Sequence, residues 1–203
     1  MGYKSSGRST RAGGGVMRVR VALLSGLVLL SAAASAAPPP HRWRIYRAHP
    51  DLKVEVCYPA DLLRVHHDKD EWANTWLMGP DGGEVLVDSR SDKYTTLQKE
   101  LKYSLDVATS PAAKPAKIWG DPETPDYSLT VKITQKIVRP DWYLYIGENK
   151  RIIKYVWRRH VDHAFKGFEV IYYKSHAAAW KGVPERMRAC FKSLGPITNP
   201  ALQ

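Results

Sequence analysis

The sequence has few cysteines and only one long apolar run, and both features narrow the classes of protein it can be. Its 203 residues include two cysteines, Cys57 and Cys190, which are too far apart to form a CxxC redox motif. The chain also lacks a GxSxG nucleophile elbow, and the glycine-rich stretch 79–83 lacks the Lys and Ser/Thr of a phosphate-binding loop. Thiol oxidoreductases, serine hydrolases and P-loop proteins therefore receive no support.

The apolar run lies near the N-terminus and has the order of a secretory signal peptide. A short basic patch at 17–20 precedes the apolar run 21–30 and the small-residue stretch 31–37. Small residues at Ala34 and Ala36 suit cleavage after Ala36. A membrane anchor is the alternative, but only about 10 residues of the run are strongly hydrophobic and a spanning helix needs roughly 20. We therefore expect a removed signal.

Removal of the signal leaves a chain of single-domain size and moderate charge. The signal carries five positive charges and no acidic ones, so the formal charge falls from +11 to +6 and 167 residues remain. Met17 is an alternative start to Met1, because 1–15 would make an unusually long basic region. In the periplasm or extracellular space we expect no nucleic-acid partner and no membrane span. The expected divisions are a signal peptide at 1–36, a Pro-rich leader at 37–42, one domain at 43–196 and a tail at 197–203.

The two cysteines suit a disulfide in an oxidising compartment. Such a bond closes a loop of more than 130 residues, for which chain entropy gives at most about 4–5 kcal/mol of stabilisation. Two buried free thiols are the alternative. Cys57 lies on the opposite side of its strand from Val54 and Val56, so a bond to an inward-facing Cys190 requires both faces of that sheet to be covered.

Apolar periodicities divide the domain into strands and two helices. Period-2 alternation predicts a strand over 52–58, and Pro and Gly residues predict a hairpin between 74–78 and 84–87. Leucines every four positions predict an amphipathic helix over 94–107, followed by a Pro-rich loop at 110–126. Four further strands and a final helix are expected at 129–138, 142–147, 151–159, 165–173 and 184–194.

This order predicts an α+β protein with an antiparallel, largely meandering sheet flanked by helices. Short motifs carry a resemblance: Val56-Cys57-Tyr58-Pro59, Asp141-Trp142-Tyr143, Arg186-Met187 and Cys190-Phe191. With the element order, they resemble small exported bacterial proteins of unassigned function with a Mog1/PsbP-type α/β/α sandwich fold. The resemblance implies a fold whose named members are mostly binding or accessory proteins, one class in the photosynthetic lumen and one that engages a small GTPase. The chain has no functional motif of either class, so neither activity is transferred.

Two polar clusters contain residue types that bind transition metals. The first lies in the segment 66–71, where adjacent side chains diverge and a solvated loop is the simpler interpretation. The second lies at a predicted hairpin turn, where two histidines could chelate an ion while an aspartate orients one imidazole. Polar turn residues are its alternative. Nothing in the sequence joins the clusters, and we expect no cofactor. The candidate ligands are His66, His67, Asp68, His160, Asp162 and His163.

Basic and aromatic residues alternate along 150–159. Such a surface could stack on sugars or hold anionic groups. A core-facing aromatic row with a solvated basic back is the alternative. The two differ in whether Trp142, Tyr143, Tyr145, Tyr155 and Trp157 are exposed together or divided between faces. The candidate binding residues are Lys150, Arg151, Lys154, Arg158 and Arg159.

The sequence as a whole favours an exported, soluble, non-catalytic binding or accessory domain. Its partner would be a protein or a cell-envelope component, and its oligomeric state is open. One alternative is a metal-dependent enzyme that uses the two histidine clusters. Another is a binder of anionic polymers or glycans through 150–159. Enzyme ligands must converge on one cleft, whereas loop histidines point separately into solvent.

Overall fold

Ten strands, two α-helices and one short 3₁₀ helix make up the described part of the chain. A computed structural model describes residues 40–48, 50–66, 74–93, 95–110 and 130–197. The expected signal peptide and most of the expected Pro-rich loop lie outside these ranges. The strands are β1 Trp43–Arg47, β2 Val54–Pro59, β3 Arg64–His66, β4 Asn74–Met78, β5 Glu84–Ser91, β6 Lys132–Val138, β7 Trp142–Glu148, β8 Ile152–Val161, β9 Ala164–Tyr173 and β10 Lys192–Ser193, and the helices are α1 Leu97–Thr109, α2 Val183–Cys190 and the 3₁₀ helix Lys174–His176.

The larger sheet has seven strands in the order β3-β4-β5-β9-β8-β7-β6. Every neighbouring pair is antiparallel. The expected hairpin and the expected four-strand meander are both present, as β4–β5 and β6–β9. Only Asp162 and His163 separate β8 from β9, so His160 lies within a strand and not in the turn.

A second sheet of three strands, in the order β1-β2-β10, corrects the expectation of a single sheet. Its central strand β2 is buried at every residue. Residues of β2 and α2, including Val54 and Met187, pack with Trp157 and Phe168 of the larger sheet in one core cluster. The small sheet and α2 therefore cover one face of the large sheet.

Helix α1 covers part of the other face of the large sheet. Its N-cap is Thr96, whose side chain accepts a hydrogen bond from the Lys99 backbone amide. Leu97 and Leu101 are buried in a second core cluster with Tyr143 and other residues of the sheet. Sheet faces are thus both packed, as in an α/β/α sandwich. Within the described ranges, no helix is long and apolar enough to cross a membrane.

Helix α2 is shorter than the sequence predicts. It ends at Cys190 because the chain turns into β10, which pairs with β2. Leu194, which the helical periodicity places in the core, is 48% exposed. The helix begins after Gly182, whose φ of 75° favours glycine, and Pro184 occupies its first turn.

The sulfur atoms of Cys57 and Cys190 lie at disulfide-bonding distance. They are 1.99 Å apart, and their Cα atoms are 5.9 Å apart. Both faces of β2 are buried. Cys57 can therefore bond to Cys190 although it points to the opposite face of the strand from Val54 and Val56. The pair connects the start of the domain to the end of α2.

Candidate functional site

The β8–β9 turn brings together part of the second histidine cluster. Asp162 and His163 have φ values of 53° and 55°, as a two-residue hairpin turn of the right twist requires. His160 Nε2 lies 2.6 Å from Asp92 Oδ2, and His163 Nδ1 lies 3.9 Å from the same oxygen. Asp92 thus interacts with both histidines.

Asp162 points away from this pair toward the C-terminal segment. It accepts a hydrogen bond from Ser193 Oγ and lies 3.7 Å from Lys166 Nζ. Lys166 is completely buried, and this burial lowers the pKa of its ammonium although Asp162 opposes the shift. Lys166 also donates to the Gly195 carbonyl. Asp162 therefore helps to hold the C-terminal segment and does not orient an imidazole.

The testable part of the predicted metal site does not assemble. Exposed His66 lies on β3, which β4, β5 and β9 separate from β8, while His67 and Asp68 fall outside the described residues. In the described parts of the chain, no three His, Cys, Asp or Glu side chains are grouped to hold a metal ion.

The predicted basic surface along 150–159 is wrong for two of its five members. Lys154 is buried and pairs with Glu169 at 2.7 Å, and Arg158 is buried and bonded to Asp88. Their carboxylate partners come from other strands, so the 150–159 segment alone could not reveal them. Arg159 pairs with Asp141 at the surface, and Lys150 and Arg151 are exposed.

Gly167 lies beside the buried Arg158–Asp88 pair at a position where no side chain fits. It lies directly between these two residues in the register of β5, β9 and β8. A Cβ at this position would lie 2.1 Å from the backbone oxygen of Trp157, which cannot move without disturbing the sheet. Burial opposes the charged form of Arg158, but Asp88 and neighbouring carboxylates raise its pKa. The guanidinium therefore stays charged, and it is paired inside the core and not offered to a ligand at the surface.

The aromatic residues are divided between the two faces, which removes the sugar-stacking surface. Tyr143 and Tyr145 belong to the core cluster under α1, whereas Tyr155 and Trp157 belong to the cluster under α2. Trp142 is covered by Arg188, whose guanidinium carbon lies 5.5 Å from the ring centroid. The aromatic row is thus mainly core, as the structural alternative predicts.

A cleft beside α2 is lined by side chains of the large sheet and of the segment that leads into α2. Its floor comes from the face of three adjacent strands: Ile146 of β7 pairs with Tyr155 of β8, and Ile153 of β8 pairs with Tyr172 of β9. The segment 177–185 forms the opposite wall. The cleft encloses about 430 Å³, within the roughly 300–1,000 Å³ of typical ligand pockets.

Trp180 fixes the wall of this cleft. The indole is fully buried and stacks on Tyr172, with ring centroids 5.1 Å apart and an interplanar angle of 6°. On its other side the ring fits against Gly83, where a Cβ would lie 2.2 Å from Cζ2. His41 Nε2 donates to the Ala179 carbonyl at 2.9 Å. The wall is therefore anchored to the sheet, to the β4–β5 turn and to the start of the domain.

Two of the lining side chains end in buried polar atoms that have no hydrogen-bond partner among the described residues. These are Tyr155 Oη and Trp180 Nε1. Leaving such a group unpaired costs about 1–3 kcal/mol, so each favours a ligand or water that accepts its hydrogen bond. Burial raises the pKa of Tyr155, with Arg188 opposing and Glu185 reinforcing the shift, so the hydroxyl keeps its proton.

Sequence reasoning missed this cleft. Its residues come from three strands and from the segment after β9, and each belongs to an ordinary core pattern in its own element. The one hint in the sequence is that small residues surround Trp180, which suggests a close approach of the chain to the sheet. These residues are Ala177, Ala178 and Gly182. Their convergence depends on the strand register, which the sequence does not specify.

Comparisons with known proteins identify the fold. No family model and no curated protein matches the chain. It is similar to the solution structure of cyanobacterial PsbP (CyanoP) from Synechocystis sp. PCC 6803, with a TM-score of 0.52 and 11% identity over 76% of this chain and 94% of that chain. A crystal structure from Bacteroides thetaiotaomicron VPI-5482 matches 74% of this chain and 48% of its own, with a TM-score of 0.41 and 13% identity.

The chain therefore has a PsbP-like fold, as the resemblance in its motifs predicts. At 11% identity this likeness concerns the fold alone.

Proposed function

We propose that this protein is an exported, non-catalytic accessory domain that binds a protein or cell-envelope component in the cleft beside α2. Export is supported by the signal-like N-terminus and by the cysteine pair at bonding distance. Binding is supported by the PsbP-like fold and by the cleft itself. The anionic-polymer alternative is weakened because Lys154 and Arg158 are buried in ion pairs.

The observation that carries the proposal is an apolar cleft with an unpaired hydroxyl. Ile146, Ile153 and Tyr172 offer apolar surface, and Tyr155, whose Oη is buried and unpaired, also lines the cleft. A pocket of this kind is the usual form of a binding site, in which apolar walls supply affinity and a few polar atoms supply orientation. No nucleophile or metal ligand is needed for such a role.

Photo-crosslinking from the cleft tests the proposal. Ala178 is exposed and lines the cleft, so a photoreactive amino acid at this position should capture the partner in the exported fraction. Ile153→Arg, which places a charge in the apolar floor, should abolish the adduct. The matched control carries the photoreactive group at Lys99, an exposed position on α1. Equal adducts from both positions, or adducts that survive Ile153→Arg, would show that the cleft is not the binding surface.

A further inference from the structure

Two charged side chains of opposite sign line the same cleft. Lys181 precedes the Gly182 cap of α2, and Glu185 lies in the first turn of the helix. Both are exposed, and within the described ranges neither forms an ion pair. One short piece of chain therefore offers a free ammonium and a free carboxylate beside an apolar floor.

The Glu185 carboxylate acts on the aromatic floor. Burial raises the pKa of both Tyr155 and Tyr172, and the negative charge of Glu185 raises both further. The carboxylate is thus close enough to influence both hydroxyls. The cleft is thus lined by one anion, one cation and two side chains, Tyr155 and Trp180, whose donors are buried and unpaired.

We propose that the cleft binds a zwitterion with an apolar, aromatic body, which in chemical terms is an aromatic α-amino acid. The inference rests on the proposed function because it concerns the same cleft, and it adds a small-molecule ligand to the protein or cell-envelope component proposed there. The ring would lie on Ile153 and Tyr172, the ligand ammonium would donate to Glu185, and the ligand carboxylate would accept from Lys181.

Charge complementarity favours a zwitterion over simpler ligands. A neutral apolar molecule has no charged group to pair with Lys181 or with Glu185. A simple acid complements Lys181 but meets the like charge of Glu185, and a simple amine has the reverse problem. A zwitterion complements both side chains, and the ring of an aromatic amino acid fits a cavity of about 430 Å³.

Three probes test the proposal by isothermal titration of the full-length protein as it is recovered after export. They are L-phenylalanine, N-acetyl-L-phenylalanine, in which the ammonium is blocked, and L-phenylalanine amide, in which the carboxylate is blocked. We expect phenylalanine to bind, and each blocked compound to bind at least about tenfold more weakly because one charge-assisted hydrogen bond is lost.

Two variants assign each charge to its partner. Glu185→Gln should remove the difference between phenylalanine and N-acetylphenylalanine but keep the difference from the amide. Lys181→Gln should do the reverse. Tyr155→Phe should weaken all three probes, and Lys99→Gln on α1 is the control that should change nothing. Thermal unfolding of each variant shows that the fold is retained.

The result separates this inference from the proposed function. If the three probes bind equally, or if none binds at millimolar concentration, the zwitterion proposal is overturned. Photo-crosslinking from Ala178 that still captures a partner would then leave the proposed function standing with a different ligand. Loss of both signals would overturn both proposals.

Discussion

At the scale of single residues, several charged side chains are buried where α1 packs on the large sheet. Buried Asp88, Glu100 and Arg158 form a connected set of ion pairs with the exposed Arg90, whose Nη2 lies 3.3 Å from Asp88 and whose Nη1 lies 3.6 Å from Glu100. A buried ion pair offsets the cost of desolvating its charges only when every charge is well paired and hydrogen-bonded. We therefore expect these pairs to specify how α1 sits on the sheet and to add little net stability. Their removal one at a time leaves an uncompensated charge.

Glu84 has no ion pair in the described part of the chain and gives a pH-dependent prediction. Burial and the nearby Glu169 raise its pKa from 4.5 to about 7, against the opposing charge of Lys154. The folded state therefore keeps a proton that the unfolded state releases, so the wild type loses stability as pH rises from 4.5 to 7. Glu84→Gln should remove this loss and be more stable by about 1–3 kcal/mol above pH 7.

Urea unfolding of both proteins at pH 4.5 and pH 8 measures this effect. The difference between wild type and Glu84→Gln should be near zero at the lower pH and largest at the higher one. The exposed Glu185→Gln serves as the control, since it should show no such trend. A constant difference across pH would mean that the Glu84 carboxyl titrates normally in the folded protein.

Among the elements, β6 is an exposed edge that the sequence protects. Within the described residues it pairs only with β7, and a register shift interrupts the ladder between Ile133 and Gln135. Exposed Lys132 and Lys136 stand on this strand. Bulges and lysines are the usual means by which a free edge avoids pairing with another molecule.

Removing both lysines should expose this edge to self-association. We expect Lys132→Val/Lys136→Val to form concentration-dependent oligomers in sedimentation velocity experiments, because valine favours strand pairing and the repulsion is gone. Lys99→Val/Lys150→Val makes the same change in charge away from the edge and should behave as the wild type does. Identical sedimentation of the two double variants would show that the lysines do not protect β6.

The Cys57–Cys190 pair also concerns whole elements, because it links the end of α2 to β2. Replacing both with alanine should lower the free energy of unfolding by about 2–5 kcal/mol, since the unfolded chain regains the entropy of a very long loop. Chemical denaturation measures the loss, and a thiol reductant should lower the stability of the wild type but not of the double variant. Two titratable thiols in the unfolded, unreduced protein would contradict the disulfide.

For the whole molecule, local patterns were enough to predict the meander, the β4–β5 hairpin, both helices and the α+β class. They missed β1, β3 and β10, because strands of two to five residues at the sheet edges carry too little alternation. They also misassigned Lys154 and Arg158, whose acidic partners lie on β9 and β5. The cleft depends in the same way on strand register and on the path after Tyr173, which are properties of the whole fold.

Export is a prediction about the whole molecule. It would place the cysteine pair in an oxidising compartment, where a disulfide persists. If the signal at 1–36 is removed, the mature chain begins at Ala37 and 167 residues remain. Mass spectrometry of the exported protein should give that N-terminus whether translation starts at Met1 or Met17. Ala34→Arg/Ala36→Arg should block cleavage and leave the precursor at the membrane, because the peptidase requires small residues there, whereas Ala32→Arg outside these two positions should still be cleaved. Wild-type protein recovered from the cytosol with residues 17–36 intact would contradict export, and the cysteine pair would then face reducing conditions that do not sustain it.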